Sequence, residues 1–113
     1  NDAGGEAVYR HCDVTDEVQV KALMAAANDA FGGIDVLHNN AGIHESMISE
    51  DLSLETMSRE TFEKVVGVNL TGVWLCAKYA LPYLRDSETA SIFGRMLARL
   101  FGDSARSPAL GAL

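Results

Sequence analysis

The pentapeptide His38-Asn39-Asn40-Ala41-Gly42 follows directly on the short apolar stretch Ile34–Leu37. Asparagine and glycine tolerate unusual backbone angles and alanine is small, so a strand ending in them turns sharply and lets a flat ligand approach the backbone closely. In doubly wound parallel sheets, ligands bind at the carboxyl ends of the strands. The pentapeptide therefore predicts the end of a parallel strand beside a ligand site.

The sequence around the pentapeptide alternates strand-like and helix-like patterns. Ala7–Cys12 is predicted to be a short strand, and Thr15 or Asp16 is predicted to cap a helix that ends at Gly32. Ile34–Asn39 is predicted to be the next strand. The helix has apolar residues at helical spacing, which predict one buried face: Val20, Leu23, Met24, Ala27 and Phe31. Strand, helix and strand in this order form a βαβ unit.

A second, longer helix is predicted from about residue 58 to about residue 84, after an acidic loop at 43–57. Its apolar stripe alternates steps of four and three residues: Phe62, Val66, Asn69, Val73, Cys76 and Ala80. Asn69 lies within this stripe, between Gly67 and Gly72. A buried amide without partners costs about 1–3 kcal/mol. We therefore expect a locally opened helix ladder here and a defined partner for the Asn69 side chain.

Three motifs stand in a fixed order along the chain: Cys12-Asp13-Val14-Thr15-Asp16, then the pentapeptide, then Val68-Asn69-Leu70-Thr71-Gly72. Together they resemble the middle of the short-chain dehydrogenases/reductases, which are NAD(P)-dependent Rossmann oxidoreductases. The resemblance implies an α/β fold, an incomplete Rossmann domain taken from a doubly wound parallel sheet of three α/β/α layers. Residues 1–92 would form the central part of that dinucleotide-binding domain, and residues 93–113 a divergent tail with a degraded or absent active-site segment.

The resemblance implies a site for the adenosine side of NAD or NADP. In the family, the residue matching Asp13 accepts a hydrogen bond from the adenine amino group, and the one matching Val14 lies against the ring. Asn40, Ala41 and Gly42 match the family residues that stabilise the central sheet and border the adenosine ribose. The alternatives without a ligand are a helix-capping role for Asp13 and an ordinary strand-to-loop turn for the other three residues.

Asn69 is the one residue that matches the family's catalytic machinery. The family's helix Asn holds, through its backbone carbonyl, a water in a proton relay to a catalytic Lys. The alternative is a buried amide that only fixes the bend of the helix.

The other catalytic and phosphate-binding motifs of the family are missing from the 113 residues. The Thr-Gly-x-x-x-Gly-x-Gly turn that binds pyrophosphate does not occur, and no Tyr is followed four residues later by Lys. Near the end of the chain, Arg106 and Leu110 stand where the family's Tyr and Lys are expected. Neither can replace its counterpart, since Arg stays protonated and Leu carries no charge.

The resulting expectation is part of an NAD(P)-dependent oxidoreductase that interconverts a small-molecule alcohol and carbonyl by hydride transfer. This chain alone is expected to be inactive. The alternative from another class is a non-catalytic interaction or oligomerisation module, in which helix 58–84 pairs with the same helix of a relative to give a homo-oligomer.

Charge and composition limit the partners. The net charge is −7, and residues 1–90 carry fifteen acidic and six basic side chains, against one and three in residues 91–113. Such an acidic body excludes nucleic acid as a partner, and the apolar runs are too short to predict a membrane span. Cys12 and Cys76 are expected to be reduced thiols in the cytoplasm. No metal site is predicted, because the three histidines lack ligand spacing.

Overall fold

The computed structural model describes residues 4–50, 53–84 and 90–94. The main elements in chain order are helix α1 (Glu17–Phe31), strand β1 (Val36–Asn39), helix α2 (Arg59–Val66), a π-helical segment (Gly67–Gly72), helix α3 (Val73–Leu84) and strand β2 (Ser91–Gly94). A short 3-10 turn, Glu45–Met47, interrupts the stretch that was predicted to be a loop. The tail helix predicted around Met96–Phe101 lies outside the described residues.

Helix α1 begins and ends where its capping residues predict. The Asp16 carboxylate accepts hydrogen bonds from the backbone N–H groups of Val18 and Gln19, which have no partner inside the helix. Gly32 ends the helix with a φ of 80°, a left-handed conformation that glycine adopts without steric cost. Both ends of the helix are therefore fixed by local chemistry.

The sheet has two parallel strands, with Val36 opposite Ser91 and Asn39 opposite Gly94. The sequence did not predict β2 as a strand, and β2 runs across the boundary placed after residue 92. The predicted strand Ala7–Cys12 is wrong for this structure, because none of its residues joins the sheet. A strand is stable only when a neighbour pairs with its backbone, and no such neighbour lies beside Ala7–Cys12 in the described part of the chain.

The long predicted helix is present as α2, the π-helical segment and α3 in direct succession. Ser58 caps its start, since its hydroxyl oxygen accepts a hydrogen bond from the Thr61 N–H at 3.1 Å. The π-helical segment runs from Gly67 to Gly72, the two glycines on which the prediction of an opened ladder rested. That prediction is confirmed.

The core lies between α1, α3 and the sheet. Its buried apolar side chains are Val20, Met24, Leu75, Cys76, Ala80, Leu84 and Ile92. Two predictions of buried aromatics are wrong, because Phe31 and Phe62 are 51% and 55% exposed. Trp74 is also largely exposed, at 57%. Exposed apolar side chains are common on folded proteins, because polar groups are too few to cover the whole surface.

The continuous helix Arg59–Leu84 is long and apolar enough, by length and composition, to pass as a membrane span. This is weak support for a membrane role, because core helices of globular domains meet the same criterion. Four of its residues in α3 belong to the core just described, including Leu75 and Ala80.

Candidate functional site

The segment after Cys12 packs closely against the long helix at Gly72. A Cβ added to Gly72 would lie 2.7 Å from Val14 Cγ2, 3.1 Å from Val14 Cβ and 3.2 Å from the Val14 carbonyl oxygen. Real side chains essentially never come so close, so the contact requires glycine at position 72. Gly72 thus fixes how near the Asp13-Val14 dipeptide lies to the helix.

Asp13 folds its own segment into a tight turn. Its Oδ1 accepts hydrogen bonds from the Thr15 N–H at 2.9 Å and the Thr15 hydroxyl at 2.7 Å. These bonds hold the pKa of the Asp13 carboxyl below its ordinary value, so it is ionised at neutral pH. Asp16, and not Asp13, caps α1. The Asp13 carboxylate is exposed and can accept a further hydrogen bond from a ligand.

Asn69 ties the long helix to the chain that follows the pentapeptide. Its Oδ1 accepts a hydrogen bond from the Ile43 N–H at 2.8 Å, and its Nδ2 donates one to the Ile43 carbonyl at 2.7 Å. The defined partner expected for this amide is therefore the Ile43 backbone. A Cβ on Gly42 would lie 3.3 Å from Asn69 Oδ1, so glycine at this position leaves room for the amide.

These contacts border a small, partly open cleft at the carboxyl end of β1, with room for about one water molecule. Its lining is mostly apolar: Val14, Asn39, Ala41, Val68, Gly72 and Val73. Val14 and Ala41 come from two of the three sequence motifs, and Val68 and Gly72 from the third. The structure thus brings residues of all three motifs to one place, although they are far apart along the chain.

Asn39 is a feature of this cleft that the sequence reasoning did not single out. The residue is only 9% exposed. Its Nδ2 is a buried atom without a hydrogen-bond partner among the described residues. An unpaired buried donor costs about 1–3 kcal/mol, so an acceptor entering the cleft would relieve it. The sequence signal for Asn39 was the pair of consecutive asparagines in the pentapeptide. Successive side chains of a strand point to opposite faces, so one of the two asparagines is directed inward.

The remaining predicted site residues lie on the rim. Asn40, Ala41 and Gly42 are exposed directly after β1. His44 caps the 3-10 turn, since its Nδ1 accepts a hydrogen bond from the Ser46 N–H at 3.3 Å. Its Nε2 also lies 3.3 Å from Glu45 Oε1. His44 therefore stabilises the local turn and is not part of the cleft lining.

A charged cluster joins α1 to α3 away from the cleft. Glu17 Oε1 accepts hydrogen bonds from Lys78 Nζ at 2.8 Å and from the Tyr79 hydroxyl at 2.5 Å. The Lys78 hydrogen bond lowers the pKa of Glu17, and Glu17 in turn raises the pKa of Lys78. The Lys78 ammonium also lies 5.1 Å from the centre of the exposed Trp74 ring. These contacts stabilise the packing of the two helices and leave the cleft unaffected.

Comparison with known proteins identifies relatives over most of the chain. Residues 1–99 match the family model described as Enoyl-(Acyl carrier protein) reductase. The chain is 44% identical over 90 residues to Hydroxysteroid dehydrogenase-like protein 2 of Xenopus laevis, a match that covers 80% of this chain and 20% of that protein.

Solved structures show the same fold. The aldohexose dehydrogenase (AldT) of Thermoplasma acidophilum, in ligand-free form, superposes with a TM-score of 0.67 at 38% identity over 80% of this chain and 34% of that one. ElxO with NADP bound gives a TM-score of 0.68 at 33% identity, over 77% and 34% of the two chains. The chain therefore belongs to the short-chain dehydrogenase/reductase family, and it spans about a fifth to a third of the length of these relatives.

Proposed function

We propose that the chain supplies the adenosine side of the NAD(P) site in an oxidoreductase that interconverts an alcohol and a carbonyl. The observation that supports this most directly is the cleft at the end of β1, where residues of all three motifs meet. Of the similar proteins, one is named a dehydrogenase-like protein, a second is named a dehydrogenase, and a third was solved with NADP bound. The substrate would be a small alcohol or carbonyl compound, and the site of action the cytoplasm.

The cleft has room for about one water molecule, so an adenosine group would lie over its mouth and contact the residues that line it. Val14 and Ala41 offer apolar surface to a flat ring. The ionised Asp13 carboxylate on the rim can accept a hydrogen bond from an exocyclic amine, and the buried Asn39 amide can donate one. Asn40 and Gly42 would border the ribose. When bound, the cofactor supplies hydride transfer, which no protein side chain provides.

Asn69 acts in this proposal as a positioning residue. Its amide holds the Ile43 backbone and with it the loop that follows Gly42. The π-helical segment around Asn69 is an arrangement that occurs often at functional sites. We assign its backbone carbonyl the water-holding role in the proton relay of the complete enzyme.

The test is a calorimetric titration of the 113-residue chain with NAD⁺. The pyrophosphate-binding glycine turn is missing from these residues, and each lost charge-assisted hydrogen bond is worth about 1.5–3 kcal/mol. We therefore expect a millimolar dissociation constant that Asp13→Ala weakens further. Asp29→Ala, on the exposed end of α1, is the matched control and should leave binding unchanged. A low micromolar constant, or equal effects of both substitutions, would contradict the proposal.

A second candidate function is an oligomerisation module formed by helix 58–84. The observation that favours it is the set of exposed apolar side chains on this helix, Phe62, Leu70 and Trp74. Such surface is typical of an interface when several large side chains share a helix. Light scattering should show a dimer that Trp74→Glu dissociates, whereas a monomer at every concentration would rule this function out.

A further inference from the structure

Cys12 and Cys76 are far apart in sequence, but the contact between Val14 and Gly72 brings their segments together. Cys12 and Val14 are both partly buried, whereas Asp13 between them is exposed, so the two share one face of their segment. Cys76 lies four residues after Gly72, one turn along the same face of the helix. Both cysteines belong to one packed apolar cluster.

The two backbones approach each other closely beside the cysteines. At the neighbouring position, the Val14 Cβ lies 3.1 Å from the place that a Gly72 Cβ would occupy. Cysteines joined by a disulfide have Cβ atoms about 3.5–4.5 Å apart. Cys12 lies two residues before Val14 and Cys76 four residues after Gly72, and both are free thiols in the same apolar cluster.

We propose that Cys12 and Cys76 form a redox-active pair that closes to an intramolecular disulfide on reaction with an oxidised low-molecular-weight thiol. The spacing in sequence gave no sign of this, because the two residues meet only through the packing of Val14 on Gly72. Cys12 is the partly exposed member and reacts first, whereas Cys76, 5% exposed, is the buried resolving thiol.

The exchange takes two steps. The Cys12 sulfur, after losing its proton, attacks one sulfur of oxidised glutathione, whose S–S bond breaks and releases one glutathione thiolate. The Cys76 sulfur then attacks the Cys12 sulfur of the mixed disulfide, loses its proton and expels the second thiolate. The two released thiolates take up the two protons, so the protein loses two electrons and glutathione disulfide gains them.

Burial sets the rate of this reaction. It raises the pKa of both thiols, which keeps the reactive thiolate scarce at neutral pH. A negative charge on Cys12 raises the pKa of Cys76 further, as expected for two neighbouring sulfurs. The pair should therefore react slowly at neutral pH.

Closure would anchor the segment that carries Asp13 and Val14. Residues Ala7–Cys12 have no strand neighbour in the described structure, and Tyr9 is 87% exposed. A covalent link from Cys12 to α3 would hold the end of this segment on the helix. Amide hydrogen exchange should then be slower in residues 7–14 of the oxidised chain than in the reduced chain.

The test is intact-mass analysis of the 113-residue chain after incubation with oxidised glutathione, followed by peptide mapping. We expect a product that has lost two hydrogen masses and in which the peptides of Cys12 and Cys76 are joined. In Cys76→Ser the reaction should stop at glutathione attached to Cys12. A native chain that also stops at this mixed disulfide would overturn the proposal.

Two variants keep both thiols and test the geometry. In the double variant His11→Cys, Cys12→Ser, the thiol moves to the exposed face of the segment and should close at least tenfold more slowly. Gly72→Ala should also slow closure, because the added methyl group pushes Val14 off the helix. Closure of either variant at the native rate, or equally fast closure of the native chain in denaturant, would show that the fold does not pair these cysteines.

Discussion

The hydrogen that Gly72 carries in place of a side chain determines how closely the Asp13-Val14 dipeptide lies against the helix. Gly67 offers a matched comparison in the same π-helical segment. A Cβ at Gly67 would make an ordinary contact of 3.8 Å with Thr15 Cγ2, whereas one at Gly72 would clash with Val14. The Val14 contact therefore requires glycine at position 72, whereas the space around position 67 would accept a side chain.

We predict that Gly72→Ala lowers the free energy of unfolding by about 1–3 kcal/mol, because an overpacked site must shift its neighbours. Gly67→Ala should be neutral or raise it by up to about 1 kcal/mol, since alanine favours a helix over glycine. Urea unfolding followed by circular dichroism measures both values. Equal losses in the two variants would mean that helix opening, and not the Val14 contact, requires glycine at these positions.

For Asn69, the sequence predicts a side-chain amide with a defined partner, and that partner is the Ile43 backbone. We predict that Asn69→Ala lowers the free energy of unfolding by about 1–3 kcal/mol, because the Ile43 N–H and carbonyl both lose their partner. Leu70→Ala, at the exposed neighbouring position, should cost about 0.5 kcal/mol or less. The same unfolding measurement compares them, and an Asn69→Ala loss no larger than that of Leu70→Ala would contradict the role of the Ile43 contact.

Among the elements, α1 owes part of its stability to two ionised carboxylates. Hydrogen bonds from Gln19 lower the pKa of Asp16, and the Lys78 hydrogen bond lowers that of Glu17. A carboxyl whose pKa is lower in the folded than in the unfolded chain stabilises the fold above its unfolded pKa. That contribution is lost as the pH falls below about 4, when the carboxylates take up protons.

We predict that the thermal midpoint falls between about pH 7 and about pH 3, and that it falls less in the double variant Asp16→Asn, Glu17→Gln. Asparagine still caps a helix but does not titrate in this range, so the variant isolates the ionisation. Thermal melts at a series of pH values measure the difference. Identical pH profiles for the two proteins would show that these carboxylates do not drive the acid sensitivity.

Elements whose signals are local were predictable from the sequence, and those that depend on distant partners were not. Asp16, Gly32 and Ser58 fix helix ends through neighbouring backbone groups, so their roles could be predicted. Ala7–Cys12 has a strand-like pattern, but pairing needs a neighbouring strand that the described chain does not place beside it. Strand β2 was not predicted because its four residues are too few to show a clear alternation of apolar and polar side chains.

The candidate site follows the same rule as the elements, since its local motifs could be predicted and its contacts between distant segments could not. Asp13, Val14 and the pentapeptide carry recognisable motifs, and of these residues the structure places Val14, Asn39 and Ala41 at one cleft. The tight packing of Val14 on Gly72 depends on the approach of segments far apart in sequence, so no local pattern indicates it. The doubled asparagine is a sequence signal for the burial of Asn39, but not for the lack of a partner at its amide.

At the scale of the whole molecule, we predict that the 113-residue chain does not catalyse hydride transfer. It contains no Tyr-x-x-x-Lys pair, and general acid–base catalysis alone contributes about 10²–10⁴-fold to enzymatic rates. Absorbance assays with NADH and NADPH against a panel of carbonyl compounds should show no rate above the protein-free control. Turnover that Asn69→Ala abolishes would show that these residues form a working active site by another route.

We propose above that this chain carries the adenosine side of a dinucleotide site at the carboxyl end of β1. The most direct measurement is nuclear magnetic resonance of the isotope-labelled chain during titration with adenosine monophosphate, a probe that needs no pyrophosphate cradle. We predict shift changes concentrated at Asp13, Val14 and Asn39–Gly42, saturating with a millimolar dissociation constant. Changes confined to other surfaces, such as the exposed face around Trp74, or the absence of any change at millimolar ligand, would contradict it.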